Sequence, residues 1–161
     1  MLEEKALDPA IHYRLAFDCG VAALNEYLQR FAEQHRKRGI SAAYVLADSS
    51  APAEILGYYT LSAAEVGVER LAEVDRKRLP RFPVPCFRMG RLACRTDQHG
   101  RGIGKLLVGC AVDRCLKARR QVAAYALIVD AKDSGARGFY EHFGFKALRD
   151  AALTLYLPLG S

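Results

Sequence analysis

The residues best suited to chemistry lie in one stretch, Gln98-His99-Gly100-Arg101-Gly102-Ile103-Gly104-Lys105. Glycines at alternate positions let a backbone approach a bulky anion. The stretch follows a predicted strand and opens a predicted helix, so its amides sit where first-turn N–H groups lack intrahelical partners and the helix dipole is positive. Arg101 and Lys105 add charge. This combination suits a diphosphate. A Walker loop would need GxxxxGK[ST], but His99 stands at its first glycine and Leu106 at its hydroxyl, leaving no side chain for a magnesium ion. A dinucleotide fingerprint would need GxGxxG, but Lys105 fills the third glycine place and no acid stands about 20 residues on.

Elements must hold this loop in place. Leu24, Leu28, Phe31 and His35 recur at helical spacing between Val21 and about Lys37, and Gly39 stops that helix. Ala42–Ala47 and Ile55–Ala64 read as strands across a turn over Asp48–Glu54. Glu69–Arg78 reads as a short polar helix, after which Pro80, Pro83 and Pro85 force extended chain. Phe87–Cys94 reads as a strand in which Gly90 permits a bulge. A helix runs from about Gly102 to Ala118. Ala123–Val129 is an apolar run suited to a central buried strand. Asp133–Phe143 is a helix closed by Gly144, and Ala152–Leu157 is a last strand. The order predicts a mixed α/β chain with βα units after an antiparallel start.

The 161 residues fit one domain over 1–161, with 51% apolar and 26% charged residues. No apolar run approaches the roughly 20 residues of a membrane span. Met1–Asp8 carries three acids and no apolar segment, which argues against a signal peptide. Cys19, Cys86, Cys94, Cys110 and Cys115 form no CxxC pair, so they read as small hydrophobes of a reducing, cytoplasmic compartment, and no metal site is expected. The net charge of +6 favours an anionic partner.

The loop resembles the acetyl-CoA loop of the GNAT superfamily of N-acetyltransferases, [RQ]xxGx[GA], with His99 departing from the first place and Gly102 and Gly104 filling the fourth and sixth. Asp133, Ala136, Phe139-Tyr140 and Gly144-Phe145 resemble the family's NxxAxxFYxxxGF block, with Asp133 in place of Asn. The resemblance implies a central mixed sheet with splayed strands flanked by helices, and acetyl-CoA as cosubstrate. It places the diphosphate against His99, Gly100, Arg101, Gly102, Ile103, Gly104 and Lys105. It gives the pantetheine arm the backbone of Leu92, Ala93 and Cys94, and gives Asp133 a cofactor contact.

The reaction it implies is attack of an amine on the thioester, with Tyr140 as general acid to the leaving thiolate. Tyr140 also shares a helix face with Ala136, Phe139 and Phe143, which is the reading of a core residue; a half-buried ring with its hydroxyl in a cleft satisfies both. The strand Phe87–Cys94 holds no carboxylate to serve as base. Glu65 is the weak candidate. An amine of low pKa would need no strong base. His35 reads as a packing group and His142 as a surface group.

Finer motifs resemble the GNAT toxins of bacterial toxin–antitoxin pairs. They are Phe17-Asp18-Cys19-Gly20 with Leu24-Asn25-Glu26-Tyr27-Leu28, then Leu56-Gly57-Tyr58-Tyr59-Thr60-Leu61, then Pro83-Val84-Pro85 with Met89-Gly90-Arg91-Leu92-Ala93. Those toxins acetylate the α-amine of aminoacyl-tRNA, commonly form homodimers, and are held by ribbon-helix-helix antitoxins. Gly67–Arg91 carries seven Lys or Arg against three acids, and Arg36-Lys37-Arg38 and Arg119-Arg120 are further clusters. Such groups suit phosphate contacts, although each alone also reads as a solvated surface. Arg91 and Arg88 are the expected substrate contacts. The other readings are a GNAT enzyme acting on a small-molecule or protein amine, and a non-catalytic CoA-binding regulator.

Overall fold

The computed structural model describes residues 1–160. Seven strands form one sheet in the order β1-β2-β3-β4-β5-β7-β6. They are β1 Leu2–Ala6, β2 Ala42–Asp48, β3 Gly57–Val66, β4 Val84–Cys94, β5 Ala126–Asp130, β6 Lys146–Leu148 and β7 Ala151–Pro158. β1–β2, β2–β3, β5–β7 and β6–β7 are antiparallel, and β4–β5 is parallel, so the sheet is mixed as expected. The helices are α1 Ala22–Glu26, α2 Ala32–Lys37, α3 Glu73–Arg76, α4 Ile103–Ala118 and α5 Ser134–His142. Among the described residues, no helix is long and apolar enough to cross a membrane.

The chain divides into two compact units, Met1–Ser62 with Gly90–Ala111, and Ala63–Met89 with Val112 to the C-terminus. The core of the first gathers Leu7, Phe17, Tyr27, Leu28, Ala32, Val45, Ile55, Tyr58 and Ala93. The expected helix over 21–37 is present, but a π-helical turn, Tyr27–Phe31, joins α1 to α2, and the Ala32 N–H reaches back to the Tyr27 carbonyl. A π turn inserts a residue into the helical register and rotates the residues after it. The buried face is therefore Tyr27, Leu28 and Ala32, while Phe31, expected on that face, is 40% exposed.

The second unit has its core around Val66, Leu71, Val84, Cys86, Ala126, Ile128, Leu148 and Tyr156. The expected helix over 69–78 is two pieces, a 3-10 turn Val68–Arg70 and α3, with Leu71 extended between them. Leu71 is fully buried. A continuous helix would lose that placement, and burying a leucine is worth about 1.5–3 kcal/mol. β4 runs as strand through Gly90, and its parallel pairing with β5 covers Cys86–Met89, just before that glycine.

Candidate functional site

In the first unit the loop has the form its glycines permit. Gly100 and Gly102 take φ of +82° and +76°. A side chain there would be strained at Cβ, and a Cβ at either position would meet nothing within 4 Å. The glycines therefore answer to backbone shape and leave the space beside the backbone open. The Leu106 N–H closes onto the Gly102 carbonyl at 3.0 Å as the helix starts. The N–H groups of Ile103, Gly104 and Lys105 precede that bond and have no intrahelical acceptor. Gly102 has no side chain to cap them. Arg101 and Lys105 are exposed beside them. The arrangement fits a diphosphate: a cradle without side chains, amides at the positive end of a 16-residue helix, and two cations.

His99 is tied back to its own chain. Its Nε2 lies 3.0 Å from the Cys94 carbonyl. One ring nitrogen thus ties the loop back to the end of β4, so His99 shapes the loop through its own chain. The same bond engages the carbonyl of Cys94, one of the three residues expected along the pantetheine arm. Leu92 and Cys94 are half-buried and Ala93 is buried. Burial pushes the Cys94 thiol up to about 11. It therefore stays protonated near neutral pH. Cys86 and Cys115 are likewise pushed up by burial, to about 11 and about 12. None of the five cysteines is in a disulfide; Cys19 is buried with these two, and Cys110 is half-buried like Cys94.

Two devices seat the loop. Gly57 in β3 lies under α4: a Cβ there would meet Leu107 Cδ1 at 2.8 Å, the Ala93 carbonyl at 2.9 Å and Ile103 Cγ2 at 3.2 Å. Only glycine lets the start of α4 approach β3 this closely. The second device explains the motif Phe17-Asp18-Cys19-Gly20…Asn25. Asp18 Oδ1 accepts from Gly20 N–H and from Asn25 Nδ2, both at 2.9 Å, and Asn25 Oδ1 accepts from Cys19 N–H at 2.8 Å. The Gly20 amide and then the Asn25 amide hold the Asp18 carboxyl below its ordinary value. The Thr96 N–H donates to the Asp18 carbonyl at 2.9 Å, tying this turn to the segment that enters the loop.

Arg91, an expected substrate contact, has its guanidinium carbon 3.4 Å from the centre of the Tyr27 ring. Tyr27 is buried, and its hydroxyl lies 2.9 Å from His35 Nδ1. His35 is thus a packing partner on the helix, as expected. Nothing in the sequence flagged the stack, because Arg91 and Tyr27 are far apart in the chain and cation–π pairs have no spacing rule.

In the second unit, α5 begins at Asp133, whose Oδ1 accepts from the Ala136 N–H at 2.8 Å. Asp133 is an N-cap. The cofactor contact expected of it is therefore drawn on a carboxylate already engaged in starting the helix. Tyr140 is buried at 6% exposure, with edge-on contacts to Phe139 and Phe145 at centroid distances of 5.3 and 5.6 Å. Gly144, at φ +96°, closes the helix as predicted. Arg88, the other expected substrate contact, is ion-paired with Asp130, and Asp130 accepts a second bond from Thr154 Oγ1 at 3.0 Å. Its guanidinium is therefore already engaged. Glu65 and His142 are exposed.

The basic segment of this unit forms a cleft of about 600 Å³ lined by Val68, Glu69, Arg76, Lys77, Leu79 and Arg81. Lys77 pairs with Glu73 at 3.7 Å. Arg76 and Arg81 have no ion-pair partner among the described residues. The segment is anchored through Asp75, which accepts from Tyr156 at 2.5 Å and Lys146 at 2.9 Å, while Tyr156 accepts from the Ala72 N–H at 2.9 Å. Burial alone would raise the Asp75 carboxyl, but these bonds outweigh it and hold it low. Sequence reasoning missed this anchor: Asp75 looked like one more charge in a polar helix.

A mixed sheet with a strand–glycine loop–helix unit whose amides stand open to a diphosphate defines the class of acyl-CoA-dependent N-acyltransferases. The chain belongs to the GNAT acetyltransferase domain family, whose pattern matches residues 39–147. It is 30% identical over 131 residues to the tRNA-acetylating toxin of Mycobacterium tuberculosis (strain ATCC 25618 / H37Rv), covering 81% of this chain and 76% of that protein. Its fold is similar to that of AtaT complexed with acetyl-methionyl-tRNAfMet, with a TM-score of 0.89, 30% identity, and 98% and 95% of the two chains covered. It is similar also to a tyrosine-to-phenylalanine mutant of the AtaT toxin bound to acetyl-CoA and the C-terminus of the antitoxin AtaR, with a TM-score of 0.82, 29% identity, and 98% and 93% coverage.

Proposed function

We propose that this chain is an acetyl-CoA-dependent N-acetyltransferase that acetylates the α-amine of aminoacyl-tRNA, and that it acts as the toxin of a toxin–antitoxin pair. The observation that carries the reading is the open amide cradle over Gly100–Lys105, in a chain that shares its fold along its whole length with a toxin complexed with acetylated methionyl-tRNA. The whole chain acts as a single acyltransferase domain, in the cytoplasm, as a homodimer, with a ribbon-helix-helix antitoxin as inhibitor.

Gly100, Gly102, Ile103, Gly104 and Lys105 present backbone N–H groups to the diphosphate, and Arg101 and Lys105 neutralise it. His99 keeps the loop attached to β4. Leu92, Ala93 and Cys94 offer the strand backbone to the pantetheine arm; they follow Cys86–Met89, the segment of β4 that pairs with β5. Asp133 serves the same chemistry by fixing where α5 begins. When bound, acetyl-CoA supplies the thioester carbonyl that the acceptor amine attacks. The Tyr140 hydroxyl delivers a proton to the departing sulfur, whose conjugate thiol has a pKa near 8.5. The attacking amine of an aminoacyl ester is weakly basic and loses its proton without a strong protein base, which agrees with a β4 that carries no carboxylate. Arg91 and the cleft with Arg76 and Arg81 meet phosphates of the nucleic acid.

The test is transfer of label from acetyl-CoA to bulk charged tRNA, with uncharged tRNA as control. Label confined to charged tRNA, and lost with Tyr140→Phe, supports both substrate and acid. No transfer in the presence of bound acetyl-CoA sinks the tRNA reading and turns the search to small-molecule and protein amines.

A further inference from the structure

Three observations in the first unit meet at Arg91. Its guanidinium carbon lies over the Tyr27 ring, 3.4 Å from the ring centre. The Tyr27 hydroxyl is held by His35 Nδ1 at 2.9 Å, and the Tyr27 and His35 rings meet edge-on with centroids 5.2 Å apart. The π-helical turn starts at Tyr27 itself. A charged guanidinium that is half-buried normally has a carboxylate beside it. Arg91 has none among the described residues. The phenol it touches is Tyr27, and its charge acts to lower the Tyr58 phenol, which burial pushes up more strongly. Tyr58 donates its own proton to the Leu24 carbonyl at 2.6 Å, so it offers no anion either. The ring contact covers one side of the guanidinium, and its N–H donors have no hydrogen-bond acceptor among the described residues.

That geometry is a receptor. A guanidinium binds an anion through its edge, and phosphate oxygens match the spacing of its N–H groups. An aromatic ring under one face fixes the plane and removes water from that side, which strengthens bonds made at the edge. We infer that Arg91 is a receptor for a single phosphodiester of the acceptor strand, and that Tyr27 and His35 are its positioning residues. The π turn belongs to this device, because it places the Tyr27 ring under Arg91 while His35, further along the helix, still reaches the Tyr27 hydroxyl. Arg88, although close in sequence, is paired with Asp130 and is not part of the receptor.

The inference rests on the tRNA reading for its ligand, so the experiment separates the two. Binding of the trinucleotide CpCpA is measured on the full chain, without acetyl transfer, for wild type, Tyr27→Leu, Tyr27→Phe and Arg91→Lys. Thermal melting is recorded for each. Tyr27→Leu removes the platform and weakens binding roughly fivefold to thirtyfold, the range of a desolvated cation–π contact. Tyr27→Phe keeps the ring and costs about twofold. Arg91→Lys keeps the charge but loses the planar fork, and behaves like Tyr27→Leu. In turnover, the KM for charged tRNA rises in Tyr27→Leu while kcat holds, and the KM for an aminoacyl-adenosine ester without a phosphodiester does not move. Equal losses on both acceptors, or trinucleotide binding that ignores Tyr27, overturn the receptor. If wild type binds the trinucleotide in a Tyr27-dependent way but fails to acetylate charged tRNA, the receptor stands and the enzymatic reading falls.

Discussion

Two helices of this protein begin in opposite ways. α4 follows Gly102, which has no side chain to cap its first-turn amides. α5 follows Asp133, whose carboxylate takes the Ala136 amide. Both termini carry the same unsatisfied donors and the same positive dipole end. Where the chain supplies its own acceptor, the terminus is a structural joint. Where glycine withholds one and keeps the nearby space clear, the donors remain for a ligand. The contrast shows that a helix N-terminus becomes a site through what the sequence omits around it.

The largest effects break the open terminus. Gly102→Val forces a β-branched residue to φ near +76°. The loop must refold, and several charge-assisted bonds of about 1.5–3 kcal/mol each are lost together. Acetyl-CoA binding should weaken by at least about a hundredfold by calorimetry, while the melting temperature changes little. Retained affinity would show that the loop's shape is not what binds the donor. Tyr140→Phe belongs to the same scale but a different step: kcat should fall by about 10²–10⁴ with acetyl-CoA affinity unchanged.

A smaller effect comes from the seat of α4. Gly57→Ala places a methyl group 2.8 Å from Leu107 Cδ1 and 2.9 Å from the Ala93 carbonyl. Overpacking of this kind costs about 1–3 kcal/mol. It should lower unfolding stability by that amount and loosen acetyl-CoA binding as the helix start shifts. An unchanged stability would mean that the strand and helix separate easily, and the close approach at Gly57 would then not hold the loop.

The capped terminus should respond in the reverse sense. Asp133→Ala removes an N-cap and should cost about 0.5–2 kcal/mol in denaturant unfolding. Asp133→Asn should restore it, because an amide oxygen caps as well. If Asp133→Ala weakens acetyl-CoA binding strongly while stability holds, the residue is a ligand contact first and the comparison between the two helices fails.

The open terminus was legible in the sequence because it depends on local spacing. Glycines at alternate positions between a strand and a helix carry their meaning wherever they fold. The cap at Asp133 was visible as a helix start, but the resemblance alone drew it toward the cofactor. What escaped depends on partners distant in sequence. β1, Leu-Glu-Glu-Lys-Ala, has the composition of a helix or a loop; it is a strand because it pairs along β2, and its charges suit an edge. The π turn changed which face of the first helix is buried, and no periodicity announces an inserted residue. The break at Leu71 follows from the need to bury that one side chain. The Arg91–Tyr27 stack, the seat at Gly57 and the Asp75–Tyr156 anchor are tertiary contacts of the same kind.

A third amide is satisfied internally, with a partner that titrates. His12 is buried, and its Nδ1 accepts from the Asp8 N–H at 3.0 Å. That bond requires Nδ1 to be unprotonated. Burial, the largest influence, depresses the imidazole below its ordinary value; the Asp8 charge opposes this, and Lys5 reinforces it. In the unfolded chain His12 takes a proton near pH 6.5. The unfolded state therefore binds more protons than the folded state as pH falls through 6.5, and stability falls with it. The contribution is fully present above pH 6.5 and diminishes down to the lowered folded value. His12→Asn offers an oxygen to the same amide without titrating. Denaturant unfolding at pH 7.5 and pH 5.5 should show a smaller acid loss in His12→Asn than in wild type. Because one histidine is involved, the difference should be modest, the smallest of these effects. An identical acid loss in both proteins would mean that the Asp8 amide does not depend on the state of His12. The internal pairing of backbone donors would then be less strict here than it is at Asp133.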